Sequence, residues 1–145
     1  MKLNEIQEMW SQDCRIDETN LGRASATVPV LHSKYLNLLT SSRLQLRKAE
    51  SDLARLRRTK YRYFRGELTR EELTDLGWEQ YQGVKTIKNE MDEFLSTDED
   101  LILQNDKVEY LRTIYFQLES ILKSIGSRTW DIKSSIEWHK FTNGM

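Results

Sequence analysis

Between Val108 and His139 the chain repeats residues at alternating spacings of three and four: Val108, Leu111, Tyr115, Leu118, Leu122, Ile125, Thr129, Ile132, Ile136 and His139. A period this close to 3.5 puts one face of an α-helix against a partner and excludes a strand, whose faces alternate every two residues. Ile114 and Ile121 widen the stripe beyond a two-residue seam, so the helix can touch more than one neighbour. Two partners are open to it: the chain's own residues 35–64, or further copies of the chain. The stripe runs for more than four heptads, which favours self-assembly. Val108, Leu111, Tyr115, Leu118, Leu122, Ile125, Ile132 and Ile136 are therefore the expected oligomerisation surface.

A second heptad runs through Tyr35, Leu39, Ser42, Leu46, Ala49, Leu53, Leu56, Lys60 and Tyr63. It predicts a helix to about Phe64, with Gly66 as the stop. Leu3, Ile6 and Trp10 suit a short amphipathic helix. The polar residues 17–20 can open another, with Leu21, Ala24, Val28 and Leu31 inward, and Pro29 should kink or divide it by biasing Val28 away from the helical region. Thr69 and Glu72 form a capping box for a further helix. Residues 96–100 are expected as a connection, and Asn105 or Asp106 as the cap of the last helix. With 38% hydrophobic residues, 31% charged and one proline in 145, the expected fold is all-α. Along the chain we expect an N-terminal helical region (1–66), an acidic connection (67–105) and a C-terminal oligomerisation helix (106–145).

The formal net charge of -1 hides strong segregation. Residues 43–66 carry +7, residues 67–109 carry -9, and the two ends nearly balance. Such asymmetry points to a polyanion-binding segment within a nearly neutral protein. Lys48, Arg55 and Arg62 are spaced by seven, as are Arg58 and Arg65, so a helix lines them up in one stripe. Tyr61 and Phe64 flank its end. Dense cations neutralise successive phosphates, and exposed aromatic faces stack on unpaired bases. This pattern favours single strands over a duplex, for which no helix-turn-helix or zinc-finger signature is present. The plainer alternative is a solvated face that pairs with acidic residues of a neighbouring subunit.

Catalysis finds little support. The sequence holds no glycine-rich phosphate loop, no G-x-S-x-G elbow and no H-E-x-x-H. One cysteine, Cys14, and two distant histidines, His32 and His139, argue against a metal site. Asp98, Glu99 and Asp100 lack the spacing of a calcium loop and fit a solvated acidic loop better. No cofactor is expected, and no apolar run approaches membrane length.

Four stretches in order resemble the UvsY family, the recombination mediators of tailed phages. Ile16-Asp17-Glu18-Thr19-Asn20-Leu21 fits an I-D-x-T-x-L element, and Ser33-Lys34-Tyr35-Leu36-Asn37 fits S-K-[WY]-L-N. Arg58-Thr59-Lys60-Tyr61-Arg62-Tyr63-Phe64 is similar to the basic K-A-R-L-x-Y-Y motif. Residues 125–133 resemble I-K-S-R-G-F-A-I-K. The resemblance implies an all-helical subunit assembled through its C-terminal helices into a hexameric or heptameric ring, in the cytoplasm of an infected bacterial host. It implies binding of single-stranded DNA, and contacts with the phage recombinase and the phage single-stranded-DNA-binding protein. Displacing the latter helps the former nucleate its filament in homologous recombination, replication and repair. The family's two basic DNA-binding positions fall on Arg58 and Lys60, exchanged in type. Arg55, Arg57, Arg62 and Arg65 enlarge that patch, with Tyr61 and Phe64 as candidate stacking residues. Residues 67–90 match the family poorly and read as a lineage-specific insertion. A helical homo-oligomeric scaffold without nucleic-acid binding is the competing expectation.

Overall fold

A computed structural model describes residues 1–144. The described residues form six helices and no strand: α1 (Leu3–Asp13), α2 (Leu21–Ala26), α3 (Val28–Phe64), α4 (Arg70–Leu76), α5 (Lys88–Thr97) and α6 (Glu99–Thr142). The fold is all-α, as the periodicity predicts.

Pro29 divides α2 from α3, with a break of one residue at Thr27. Val28 is nonetheless helical, contrary to its expected bias. Pro29 lies in the first turn, where its missing N–H has no helical acceptor to satisfy, and the ladder opens with Leu31 N–H donating to the Thr27 carbonyl at 3.0 Å. At its other end α3 stops where expected. Gly66 adopts φ +69°, its N–H donates to the Tyr63 carbonyl at 3.0 Å, and Glu67 N–H reaches back to the Arg62 carbonyl at 2.9 Å. This is the paired termination that a left-handed glycine permits.

The start of α6 corrects two expectations. Residues 96–100 are not a loop: Ser96 and Thr97 end α5, Glu99 and Asp100 begin α6, and Asp98 alone connects them. Asp98, rather than Asn105 or Asp106, caps the last helix, accepting from Leu101 N–H at 3.1 Å. The heptad in fact extends upstream through Leu101 and Gln104. Gln104 disguised it, because a polar residue sits on the seam and uses its amide to donate to the Ala49 carbonyl at 3.1 Å.

Two compact units result, Met1–Gln45 with Leu111–Met145, and Leu46–Tyr110. In the first, Ile6, Tyr35, Ile114, Leu118, Ile121 and Ile125 form the core, with Leu122 packed against it. Each such burial contributes roughly 1.5–3 kcal/mol. The fully buried Tyr35 meets Trp10 edge to face with ring centres 5.5 Å apart. Its hydroxyl donates to Asp13 Oδ2 at 2.9 Å, and Lys34 Nζ donates to the same oxygen at 2.6 Å. Burial would raise the Asp13 pKa, but the bonds from Lys34 and Tyr35 outweigh it and hold the carboxyl below its ordinary value.

Much of the α6 stripe is thus spent inside the chain. Leu118 and Ile125 are each 1% exposed in this core. Val108 and Ile132 are buried, while Leu111, Tyr115 and Leu122 are half-buried and Ile136 lies at the surface. Packing within the subunit accounts for the most deeply buried positions of the expected oligomerisation surface. A wide stripe is what a bundle helix needs as much as what a ring needs, which is why period alone did not separate them.

In the second unit Phe64, Met91, Leu95 and Leu101 form the core, flanked by Leu53, Leu56, Tyr61, Tyr63 and Tyr81. Residues 67–90 are built into it. Leu68 and Leu73 are buried, Tyr63 stacks edge to face with Trp78 at 5.4 Å, and Thr86 N–H donates to the Phe64 carbonyl at 3.2 Å. The capping box of α4 forms as expected: Glu72 N–H donates to Thr69 Oγ1, and Thr69 N–H to Glu72 Oε1, both at 3.1 Å.

Candidate nucleic-acid interface

The basic half of α3 cannot present all its cations to one side, because helical residues two apart point in nearly opposite directions. Arg58 and Lys60 are such a pair. Arg58 is exposed and has no ion-pair partner among the described residues. Lys60 lies on the heptad seam and is buried, with Nζ 2.7 Å from Asp100 Oδ2 and 3.2 Å from Asp98 Oδ1. The same ammonium stands 4.3 Å from the centre of the Trp78 ring. Burial works to lower the Lys60 pKa, but hydrogen bonds to Asp100 and Asp98 outweigh it and hold the pKa above its ordinary value. The expected exposure of Lys60 is therefore corrected by its own heptad position. Asp98 and Asp100, expected in a solvated acidic loop, serve instead as its counter-charges.

Phe64 is corrected in the same way. It is buried, with ring contacts to Tyr81 at 5.4 Å and Phe94 at 5.5 Å, and offers no open face to a base. Arg62 and Arg65 are partly exposed but engaged. Arg62 forms a two-pronged pair with Glu72 (Nη1 to Oε2 at 2.8 Å, Nη2 to Oε1 at 3.1 Å), and Arg65 Nε donates to Glu67 Oε1 at 2.8 Å. The guanidinium of Arg62, helped by the Thr69 N–H, pushes the Glu72 pKa down to about 2.

Two of the remaining cations, Arg57 and Arg58, meet in one place. Arg57, Arg58 and Tyr61 line a groove of about 710 Å³ between α3 and α5, and Lys88 and Asn89 stand on its other wall. Met91 and Leu95 supply apolar lining. Arg57 lies 3.6 Å from Asp92 Oδ1, an exposed and weak pairing at the same groove. Arg65 holds its guanidinium 5.9 Å above the Tyr61 ring. Arg55 stands outside the groove lining, 80% exposed and 3.6 Å from Asp52. Lys88 and Asn89 open α5, where unpaired helical N–H groups add positive potential. Sequence reasoning missed both, because they lie in the segment of net charge -9. The available signal was Lys85 and Lys88 standing together just before the apolar period of α5.

Three cations against one carboxylate, beside an aromatic face and an apolar lining, suit a flexible polyanion that carries flat apolar groups. No group of three or more His, Cys, Asp or Glu among the described residues could hold a metal ion. No helix among them is long and apolar enough to cross a membrane.

Comparison with known proteins agrees in extent and topology. The recombination protein uvsY of Enterobacteria phage T4 is 26% identical over 144 residues, covering 99% of both chains. Two crystal structures of the bacteriophage T4 recombination mediator protein UvsY superpose with TM-scores of 0.85 and 0.81. Each is 24% identical, covering 99% and 98% of this chain and 98% and 99% of theirs, and they share its fold. The model of the family described as "Recombination, repair and ssDNA binding protein UvsY" matches residues 9–145, and the chain belongs to that family.

Proposed function

We propose that the chain is a non-enzymatic recombination mediator that binds single-stranded DNA along the α3–α5 groove. In this reading it helps a phage recombinase load onto DNA covered by single-stranded-DNA-binding protein. The observation that carries the reading is the convergence of Arg57, Arg58, Lys88 and Tyr61 on one groove with an apolar lining, in a chain of this family. The cations take backbone phosphates and Tyr61 takes a base face, a combination indifferent to sequence. Arg55 extends the charge along α3. Lys60 and Phe64 support this surface from within, and Arg62 and Arg65 join it only if their carboxylate partners yield to phosphate.

Assembly into a hexameric or heptameric ring is part of the same proposal. With Leu118 and Ile125 committed to the subunit core, the exposed residues of the α6 end are the better candidates for subunit contact. Trp130, Trp138 and Phe141 are 68%, 64% and 75% exposed, and Trp138 stacks on Phe141 at 5.8 Å. Multiple copies of one weak groove hold a strand through effective concentration.

Fluorescence anisotropy with a labelled oligothymidylate at two salt concentrations tests the reading. Salt-sensitive binding, weakened by Arg58→Ala and by Lys88→Ala, is expected. Binding that is absent or insensitive to salt would favour the scaffold, in which the basic tract serves only subunit contacts.

A further inference from the structure

Arg128 is 6% exposed, yet no carboxylate pairs with it among the described residues. Its Nη1 and Nη2 donate to the carbonyls of Cys14 and Arg15 at 3.2 and 2.7 Å, and its Nε–H has no partner. Those carbonyls, at the end of α1, offer only partial negative charge. Asp13 feels the guanidinium, but its carboxylate is taken by Lys34 and Tyr35. A buried cation with an idle donor and a distant counter-charge is costly unless something else supplies the negative charge.

Arg128 lines a pocket of about 210 Å³ together with Arg15, Arg23, Asn20 and Asp17. The Asn20 side-chain oxygen accepts from Arg23 N–H at 3.2 Å, which leaves its amide nitrogen as a donor. Asp17 is the carboxylate among these residues. It is turned to its own loop, accepting from both the N–H and the hydroxyl of Thr19. Three arginines thus line a pocket with one carboxylate, which its own loop occupies and which Arg23 already influences. The volume suits one phosphate group with a few waters, at about 30 Å³ of liquid per water. Guanidinium forks match the paired oxygens of that group.

We propose that this pocket is a phosphate-oxyanion site, separate from the α3–α5 groove. Arg15 and Arg23 grip the anion at the rim, and the buried Arg128 guanidinium adds its positive charge beneath it. The oxyanion can come from a DNA backbone or from free phosphate, and the two sources are separable by experiment.

Thermal unfolding of the full chain in inorganic phosphate, against chloride of equal ionic strength, reads the site without DNA. Arg15→Ala with Arg23→Ala is the informative variant. Arg15 gives its carbonyl to Arg128 and Arg23 gives its backbone N–H to Asn20, so both structural bonds survive the change. At about ten times the dissociation constant, phosphate should raise the midpoint roughly 3–6 °C more in the wild type than in the double variant. An equal response in the two proteins would overturn the proposal. Arg58→Ala should keep the full phosphate response, so failure of the groove reading leaves this site standing. Anisotropy with oligothymidylate then assigns the source. A salt slope flattened by ~0.7 per lost contact in the double variant identifies backbone phosphate. An unchanged slope with the phosphate response lost identifies a site for the free anion.

Discussion

The ammonium of Lys60 lies 2.7 Å from Asp100 Oδ2, and so joins the most basic helix of the chain to the first turn of α6. Lys60 is 8% exposed at its side chain and Asp100 is 53% exposed. One end of the pair is therefore dry and the other reaches water. A cation on the heptad seam acts here as a packing residue whose charge is matched from within.

Lys60→Ala should destabilise the chain by about 3 kcal/mol. This is the low end for breaking a buried pair, because Asp100 can still be solvated while Asp98 loses its partner. Urea midpoints with an unchanged m-value would measure the loss. The folded pKa of Lys60 is raised above 10.5. Its contribution is therefore complete below 10.5 and is lost as pH rises through the folded value, so wild-type stability should fall in strong alkali and that of Lys60→Met should fall less.

Arg58→Ala should do the reverse. An exposed, unpaired side chain contributes within about 0.5 kcal/mol of nothing to stability, whereas a lost phosphate contact flattens the salt dependence by ~0.7. Comparing the two variants in anisotropy and in unfolding separates contact from support. A flattened slope for Lys60→Ala in protein that remains fully folded would return Lys60 to the DNA surface.

Glu72→Gln should release Arg62. The Glu72 pKa of about 2 against an ordinary 4.5 means that its contribution is fully present above 4.5 and is lost as pH falls from there toward 2. The amide keeps an oxygen for the Thr69 N–H, so α4 retains its cap. The freed guanidinium should steepen the salt slope of single-strand binding by ~0.7. An unchanged slope would place Arg62 outside the path of the strand.

A charge at Leu118 and a charge at Trp138 should have different consequences. Leu118→Asp puts a carboxylate in the first core and should unfold the subunit, since an unpaired buried charge costs several kcal/mol. Trp138→Asp acts on a surface ring and should leave helicity intact while lowering the sedimentation coefficient. Circular dichroism beside sedimentation velocity distinguishes them. An intact assembly in Trp138→Asp would move the subunit contact elsewhere.

The long helices were legible because their periods are uninterrupted. The heptad that ends in Lys60 and Tyr63 already put Lys60 on the buried side, although its charge drew attention to the surface. Phe64 adjoins that seam, and its burial follows from aromatic partners contributed by α5 and the 77–87 loop. The acid partners Glu72, Asp98 and Asp100 were visible as charges but not as partners. Their pairings reach across 10 to 40 residues, and nothing local specifies them. Lys88 was masked by averaging, since a net charge over 43 residues hides one cation that folding brings to the groove. The partition of the α6 stripe between core and surface was not readable at all, because a bundle and a ring ask the same period of a helix.

Asp98 is the whole connection between α5 and α6, and its two oxygens have different employments. Oδ2 receives the Leu101 N–H and Oδ1 receives Lys60. The far end of the wall bearing Lys88 is thereby pinned to the helix bearing Arg58 by one carboxylate, as a calliper's arm is held at its pivot. Asp98→Glu keeps the charge but lengthens the arm by a methylene, and so changes the aperture rather than the chemistry. Its signature would be an altered preference for strand thickness, seen as a changed ratio of affinities for pyrimidine and purine homopolymers at constant salt slope.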